Sequence, residues 1–350
     1  MRHVDFARRL TCIWLITLGF LVPPALAFEI EGERLFSGAR AEITLSVLST
    51  TDTDIIAPLI EAFLDRNPGV AIRYVTASSQ EVFHAIADEG AAYDLVISSA
   101  MDLQMKLAND GFAAAHASPT VASLPDWARW RDRLFGFALE RVVVMASRKG
   151  LGGLEPPRTR RALIDLLRDN PDRFQGKIGT YDPVLSGTGY LFASQDARQT
   201  DTFWRLAEVM GRLNARLYCC SGDMIRDLGS GKLIIAYNVV GSYAAARLSA
   251  NPDAMLIEME DLTVALLRTA FIPNTAPNPE LGGRFLDFLI SREGQRLTAG
   301  GGGFPILADA GLDAAPYVRP IRLDPGLLVY LDRIKRQDFL AEWAAAMQQL

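Results

Sequence analysis

Between residues 42 and 112 the chain switches repeatedly between two hydrophobic periods, and few folds accommodate that pattern. EITLSVLST (42–50) is an apolar run of strand length ending in Ser-Thr-Thr-Asp. DIIAPLIEAFLDRNPG follows, with Ile55, Ile56, Leu59, Ile60 and Phe63 at helical spacing until Asn67-Pro68-Gly69 stops it. The pair recurs as VAIRYVTAS with SQEVFHAIADEG, and again as YDLVISSA with MDLQMKLANDGF, closed by Gly111. This β-α-β-α-β-α order predicts a parallel sheet with helices on its faces. Each strand delivers hydroxyls at its carboxyl end: Thr50 and Thr51, Ser78 and Ser79, Ser98 and Ser99. In open α/β sheets that rim is where ligands lie. Ser and Thr also cap helices wherever helices start, but three consecutive strands ending this way point to a polar binding rim.

A second unit of the same kind follows. FGFALERVVVMAS (135–147) reads as a strand, RRALIDLLRDNPD as a helix after Pro156-Pro157, and DTFWRLAEVMGRLNA as another helix. Its rim candidates are Ser186, Thr188, Ser221, Asp223 and Asn238. Residues 254–273 read as strands returning to the first unit, and residues 330–350 as an amphipathic helix. The approach DPVLSGTGYLF (182–192) is the most unusual stretch. A helix start leaves about four amides without intrahelical partners and carries roughly half a positive charge. Gly187 and Gly189 permit close backbone approach, Ser186 and Thr188 add donors, and no acidic residue occurs from 186 through 194. That is the composition of an anion cradle; a helix capped by its own Ser or Thr is the competing reading. Arg141 is either a bidentate partner for an anion or a solvated strand-end residue.

The N-terminus reads as a leader. Arg2, Arg8 and Arg9 precede an apolar run from Cys12 to Val22, and Ala25-x-Ala27 supplies a cleavage pattern, so residues 1–27 are expected to be removed on export. The run is shorter than the ~20 residues a membrane span needs. Cleavage removes three basic residues and one acidic residue, which takes the formal charge from −5 to −7. An acidic exported chain without basic clusters is no nucleic-acid binder. Only Cys219 and Cys220 remain, adjacent to each other, either as a vicinal disulfide or as two buried thiols. With His84 and His116 unclustered, neither a metal site nor a cofactor is expected. No nucleophile–base motif is present, so an enzyme is not expected either.

Five segments in order resemble the periplasmic solute-binding proteins of ABC importers, the group that includes ferric-iron-binding and phosphorylated-sugar-binding members. They are LSVLSTTDTDIIAPLIEAFLDRNPGVAIRYV, DLVISSAMDLQMKLANDGF, GKIGTYDPVLSGTGYLF, SGKLIIAYNVVGSYAAAR and GGRFLDFLISREGQRLTAGGGGFPI. The resemblance implies an α/β type II clamshell that closes around its ligand. Lobe one would comprise residues 28–140 plus 250–350, and lobe two residues 141–249. The likeness also implies a periplasmic monomer that hands its solute to an ABC permease or docks on the periplasmic domain of a sensor kinase. Ferric-binding relatives use adjacent tyrosines, hard donors for a hard cation. Here the matching stretch is IAYNVVGSY, where Tyr237 precedes Asn238 and no Tyr-Tyr pair occurs. The expected ligand is therefore a small organic anion, a phosphorylated sugar, phosphoglycerate or carboxylate, with iron as the alternative.

Overall fold

The protein is described by a computed structural model covering residues 28–302, 307 and 316–347; the expected leader lies outside these residues. A strand that the sequence pattern does not announce, β1 (Gly32–Ser37), comes first. The predicted alternation follows as β2 (Ile43–Ser49), α1 (Thr53–Arg66), β3 (Val70–Thr76), α2 (Ser79–Ala87), β4 (Leu95–Ser98) and α3 (Met101–Asn109). Helix α4 (Pro119–Ala122) and strand β5 (Arg129–Trp130) lead into the long β6 (Leu134–Ser147). Next come α5 (Arg148–Leu151), α6 (Arg160–Asp169), α7 (Pro171–Phe174), β7 (Ile178–Tyr181), α8 (Gly187–Gln199) and α9 (Thr202–Arg212). Then follow β8 (Arg216–Tyr218), α10 (Ser221–Gly229), β9 (Ile235–Val240) and α11 (Gly241–Leu248). The remaining elements are β10 (Ala254–Ile257), β11 (Thr263–Phe271), α12 (Pro279–Ile290), α13 (Arg292–Gly302), β12 (Val318–Pro320) and α14 (Arg333–Met347).

The strands run in the order β1-β3-β2-β4-β11-β6-β9-β7-β8. β2 lies parallel to both β3 and β4, as the alternation predicts. β1 and β11 join antiparallel, which makes the sheet mixed. In α1, Ile56, Leu59, Ile60 and Phe63 are buried, one face of the helix, and Asn67 closes it by donating its side-chain amide to the Phe63 carbonyl at 2.8 Å. Burying each such side chain contributes about 1.5–3 kcal/mol.

β6 organises the whole molecule. At about 3.3 Å per residue its 14 residues run roughly 45 Å, and its two ends serve different neighbours. Phe135 to Arg141 pair with β11, whereas Val142 to Ala146 pair with β9. The run Val142-Val143-Val144 is buried, as suits a strand covered on both faces.

Two expectations about the second half of the chain need correcting. β10 does not return to the first strands; it pairs antiparallel with Val144 to Ser147, at the β9 end of β6. Helix α14 also sits with the second group of elements. Phe339, Trp343 and Met347 recur every four residues on one face and pack with Phe203, Leu206 and Met210 of α9. The described residues after 250 are thus shared between the two ends of β6, with β10 and α14 toward the β9 end and β11 toward the other.

Candidate functional site

Six strands, β2, β3, β4, β7, β8 and β9, each end where a helix begins, and the six helices that follow are α1, α2, α3, α8, α10 and α11. Between their starts lies a cavity of about 290 Å³. The N-caps of α1, α3, α10 and α11 (Asp52, Ala100, Cys220 and Val240) make no side-chain cap bond, so those first-turn amides are not closed off by their own caps. Each helix start adds roughly half a positive charge. Hydroxyls complete the lining: Thr50, Ser78, Ser79 and Ser99 from one side, Ser186, Thr188 and Ser221 from the other.

The two sides touch at α8. Thr188 Oγ1 and Ser99 Oγ are 3.0 Å apart, and the Gly187 amide donates to Ser79 Oγ at 3.1 Å. The Gly189 amide donates to Ser186 Oγ at 3.0 Å. The amides expected to cradle an anion are therefore held by the protein's own hydroxyls. The glycines serve packing instead. A Cβ on Gly187 would lie 2.7 Å from Ser79 Oγ and 2.9 Å from Leu103 Cδ1, and one on Gly189 would lie 2.5 Å from Tyr181 Cβ.

Other expected residues lie beside the cavity rather than in its wall. Thr51 is buried, and its hydroxyl accepts from Arg268; Ser98 is buried, and its hydroxyl accepts from the Ala100 amide at 3.1 Å. Tyr237 and Asn238 are held behind α8, where both donate to Asp196 Oδ2 at 3.0 and 3.1 Å. Arg160 donates to the other carboxylate oxygen at 2.7 Å. Asn238 has φ 63°, a conformation Asn tolerates better than most residues, and this turns its amide toward Asp196. Arg141 does not reach the cavity. It pairs with Glu258 at 2.9 Å, which ties the middle of β6 to the segment just after β10.

The cation that does line the cavity is Arg268 of β11. Its Nε donates to Glu140, its Nη1 to Thr51, and its guanidinium lies 5.5 Å from the Tyr243 ring centroid. It is fully buried. One arginine inside the apolar run TVALLRTAF was the signal available in the sequence. Three carboxylates also face the cavity: Asp223, which was expected, with Glu31 and Asp52, which were not. Burial, and then the Asp52 charge, raise the Glu31 carboxyl above its ordinary pKa; burial likewise raises that of Asp52, against the pull of Arg268. Tyr181 and Tyr243 line the wall, and burial pushes both phenols up, so they act as neutral hydroxyls. Cys219 and Cys220 are exposed free thiols at the cavity, neither disulfide-bonded nor buried.

Residues 45–302 match the family model of bacterial extracellular solute-binding proteins. A substrate-binding protein of an ABC transporter from Agrobacterium tumefaciens is 33% identical; the match covers 90% of this chain and 98% of that one, with a TM-score of 0.86. AfuA from Actinobacillus pleuropneumoniae, a periplasmic binding protein with fructose-6-phosphate bound, is 16% identical over 89% of this chain and 100% of its own, with a TM-score of 0.71. Iron-bound HitA from Pseudomonas aeruginosa is 16% identical over 87% and 99%, with a TM-score of 0.67. Among curated proteins none matches the chain. The fold shared with these neighbours is that of the type II periplasmic binding proteins. On the family match and the Agrobacterium relative together, the chain belongs to the bacterial extracellular solute-binding proteins and is a solute-binding protein of the ABC-transporter kind.

Proposed function

We propose that the protein captures a small hydroxylated organic anion, of the phosphorylated-sugar or phosphoglycerate class, and delivers it to an ABC permease after export to the periplasm. The observation that carries this reading is the convergence on one cavity of seven Ser and Thr hydroxyls and four helix starts without side-chain caps, those of α1, α3, α10 and α11. Hydroxyls and uncapped amides bind an anion through dipoles, without a full countercharge. The three carboxylates make the choice narrower. A bare dicarboxylate would meet Glu31, Asp52 and Asp223 with nothing to donate, whereas the hydroxyls of a sugar phosphate donate to them while its phosphate sits at the helix starts. The sugar phosphate bound by AfuA supports the same class. Iron suits the cavity less well, because the phenols lining it, Tyr181 and Tyr243, are not the adjacent tyrosine pair that serves a hard cation in the ferric-binding group.

In this reading the two ends of β6 belong to two lobes, which open and close on the strand crossings tied by Arg141 and Glu258. The Ser99–Thr188 and Ser79–Gly187 bonds are then contacts of the closed form. Isothermal titration of the mature protein with phosphorylated sugars, phosphoglycerate, simple carboxylates, neutral sugars and ferric citrate tests the ligand class. Binding of a hydroxylated phosphate at a Kd of about 1 µM or tighter, near −8 kcal/mol, is expected. Binding of neutral sugars alone, or of iron alone, would overturn the reading.

A further inference from the structure

Cys219 and Cys220 stand where β8 meets α10, and the spacing to Asp223 gathers three donors at one point. Cys220 is the N-cap of α10, and Asp223 is three residues on, the position from which an acidic side chain folds back over the cap. Asp223 Oδ2 lies 3.5 Å from Cys220 Sγ and 3.9 Å from Cys219 Sγ, and the two sulfurs are 2.8 Å apart. The other carboxylate oxygen accepts from Arg226 at 2.6 Å, which orients Oδ2 toward the sulfurs. One ligand atom from each of the three residues falls within 4.8 Å of the others, and all three residues line the solute cavity.

We propose that Cys219, Cys220 and Asp223 bind a soft divalent cation of the zinc or cadmium class in the wall of the solute cavity. Two sulfur ligands select such a cation over a hard one, which prefers oxygen throughout. Tetrahedral bonding to two sulfurs at about 2.3 Å needs the sulfurs about 3.8 Å apart, a change of ~1 Å that rotation of exposed side chains supplies. The fourth position then faces the cavity, open to water or to an oxygen of the solute. In binding, each thiol loses its proton to solvent and forms a sulfur–metal bond, so one divalent ion displaces two protons and no electrons move.

The site does not depend on which solute is carried. The test titrates cadmium alone into the mature protein, kept reduced by a non-chelating phosphine. One ion bound per chain is expected, with an ultraviolet sulfur-to-metal charge-transfer band and release of about two protons per ion, read in buffers of different ionisation enthalpy. Cys219→Ser and Cys220→Ser should each weaken binding at least tenfold and reduce the band. Asp223→Asn should keep the band at lower affinity. Equal cadmium affinity in the double serine variant, or a folded reduced protein that yields no band, would overturn the proposal. Solute titrations of the unaltered protein in chelator read the solute site separately, so failure of one site is distinguishable from failure of the other.

Discussion

Gly187→Ala separates solute binding from folding. Gly187 is the first residue of α8, and its φ lies outside the left-handed region, so alanine adopts the same backbone. The new methyl, however, would meet Ser79 Oγ at 2.7 Å and Leu103 Cδ1 at 2.9 Å. Relief requires Ser79 to swing away, losing the bond from the Gly187 amide, or α8 to draw back from α2 and α3. Overpacking of this kind costs about 1–3 kcal/mol. If these contacts form only on closure, the cost falls on the bound state, and affinity should drop about 5- to 150-fold while the unfolding midpoint stays level or rises. Titration calorimetry and urea unfolding on the same preparation measure the two quantities. Adding Ser79→Ala removes the nearest clashing atom and should recover part of the affinity. Unchanged affinity in Gly187→Ala would refute the closure argument, and a parallel fall in affinity and stability would show that the contact belongs to the fold itself.

Arg268→Met should destabilise the protein by about 3–5 kcal/mol, because it strands Glu140 in the interior, where Ser242 is its remaining side-chain hydrogen-bond partner among the described residues. Pairing it with Glu140→Gln should recover much of that loss in urea unfolding, and failure to recover would contradict the role given to the ion pair. Asp102 is fully buried in α3, and burial raises its carboxyl pKa to about 7, whereas an unfolded aspartate titrates near ~3.9. The folded state thus holds this proton more tightly. Its contribution to stability is complete below about pH 4 and is lost as pH rises through 7, with a slope of up to ~1.4 kcal/mol per pH unit. Asp102→Asn should flatten that slope and be the more stable protein at pH 8; an unaltered pH profile would remove the assignment.

The strand–helix alternation and the hydroxyls closing each strand were legible because both depend on neighbours in the chain. The cavity lies where those strand ends place it, and Thr50, Ser78, Ser79, Ser99, Ser186, Thr188, Ser221 and Asp223 all line it. Partners far apart in the chain were not legible. Arg141 finds Glu258, and Gly187 finds Ser79 from the opposite side of the cavity. Nothing local in DPVLSGTGYLF distinguishes an amide waiting for an anion from one meeting a distant serine. Arg268 was hidden for a related reason: inside an apolar strand a cation is tolerable only with a buried carboxylate, and Glu140 lies on another strand. Helix α14 carries Phe339, Trp343 and Met347 at four-residue spacing, but that spacing alone does not choose between two cores.

A crystal structure of the mature protein with a phosphorylated sugar should show the phosphate in the cavity, within hydrogen-bonding distance of the Ser and Thr hydroxyls at the helix starts, and sugar hydroxyls donating to Asp52 or Glu31. A phosphate placed beside Arg141, or a sugar bound outside the cavity, would contradict the proposed function.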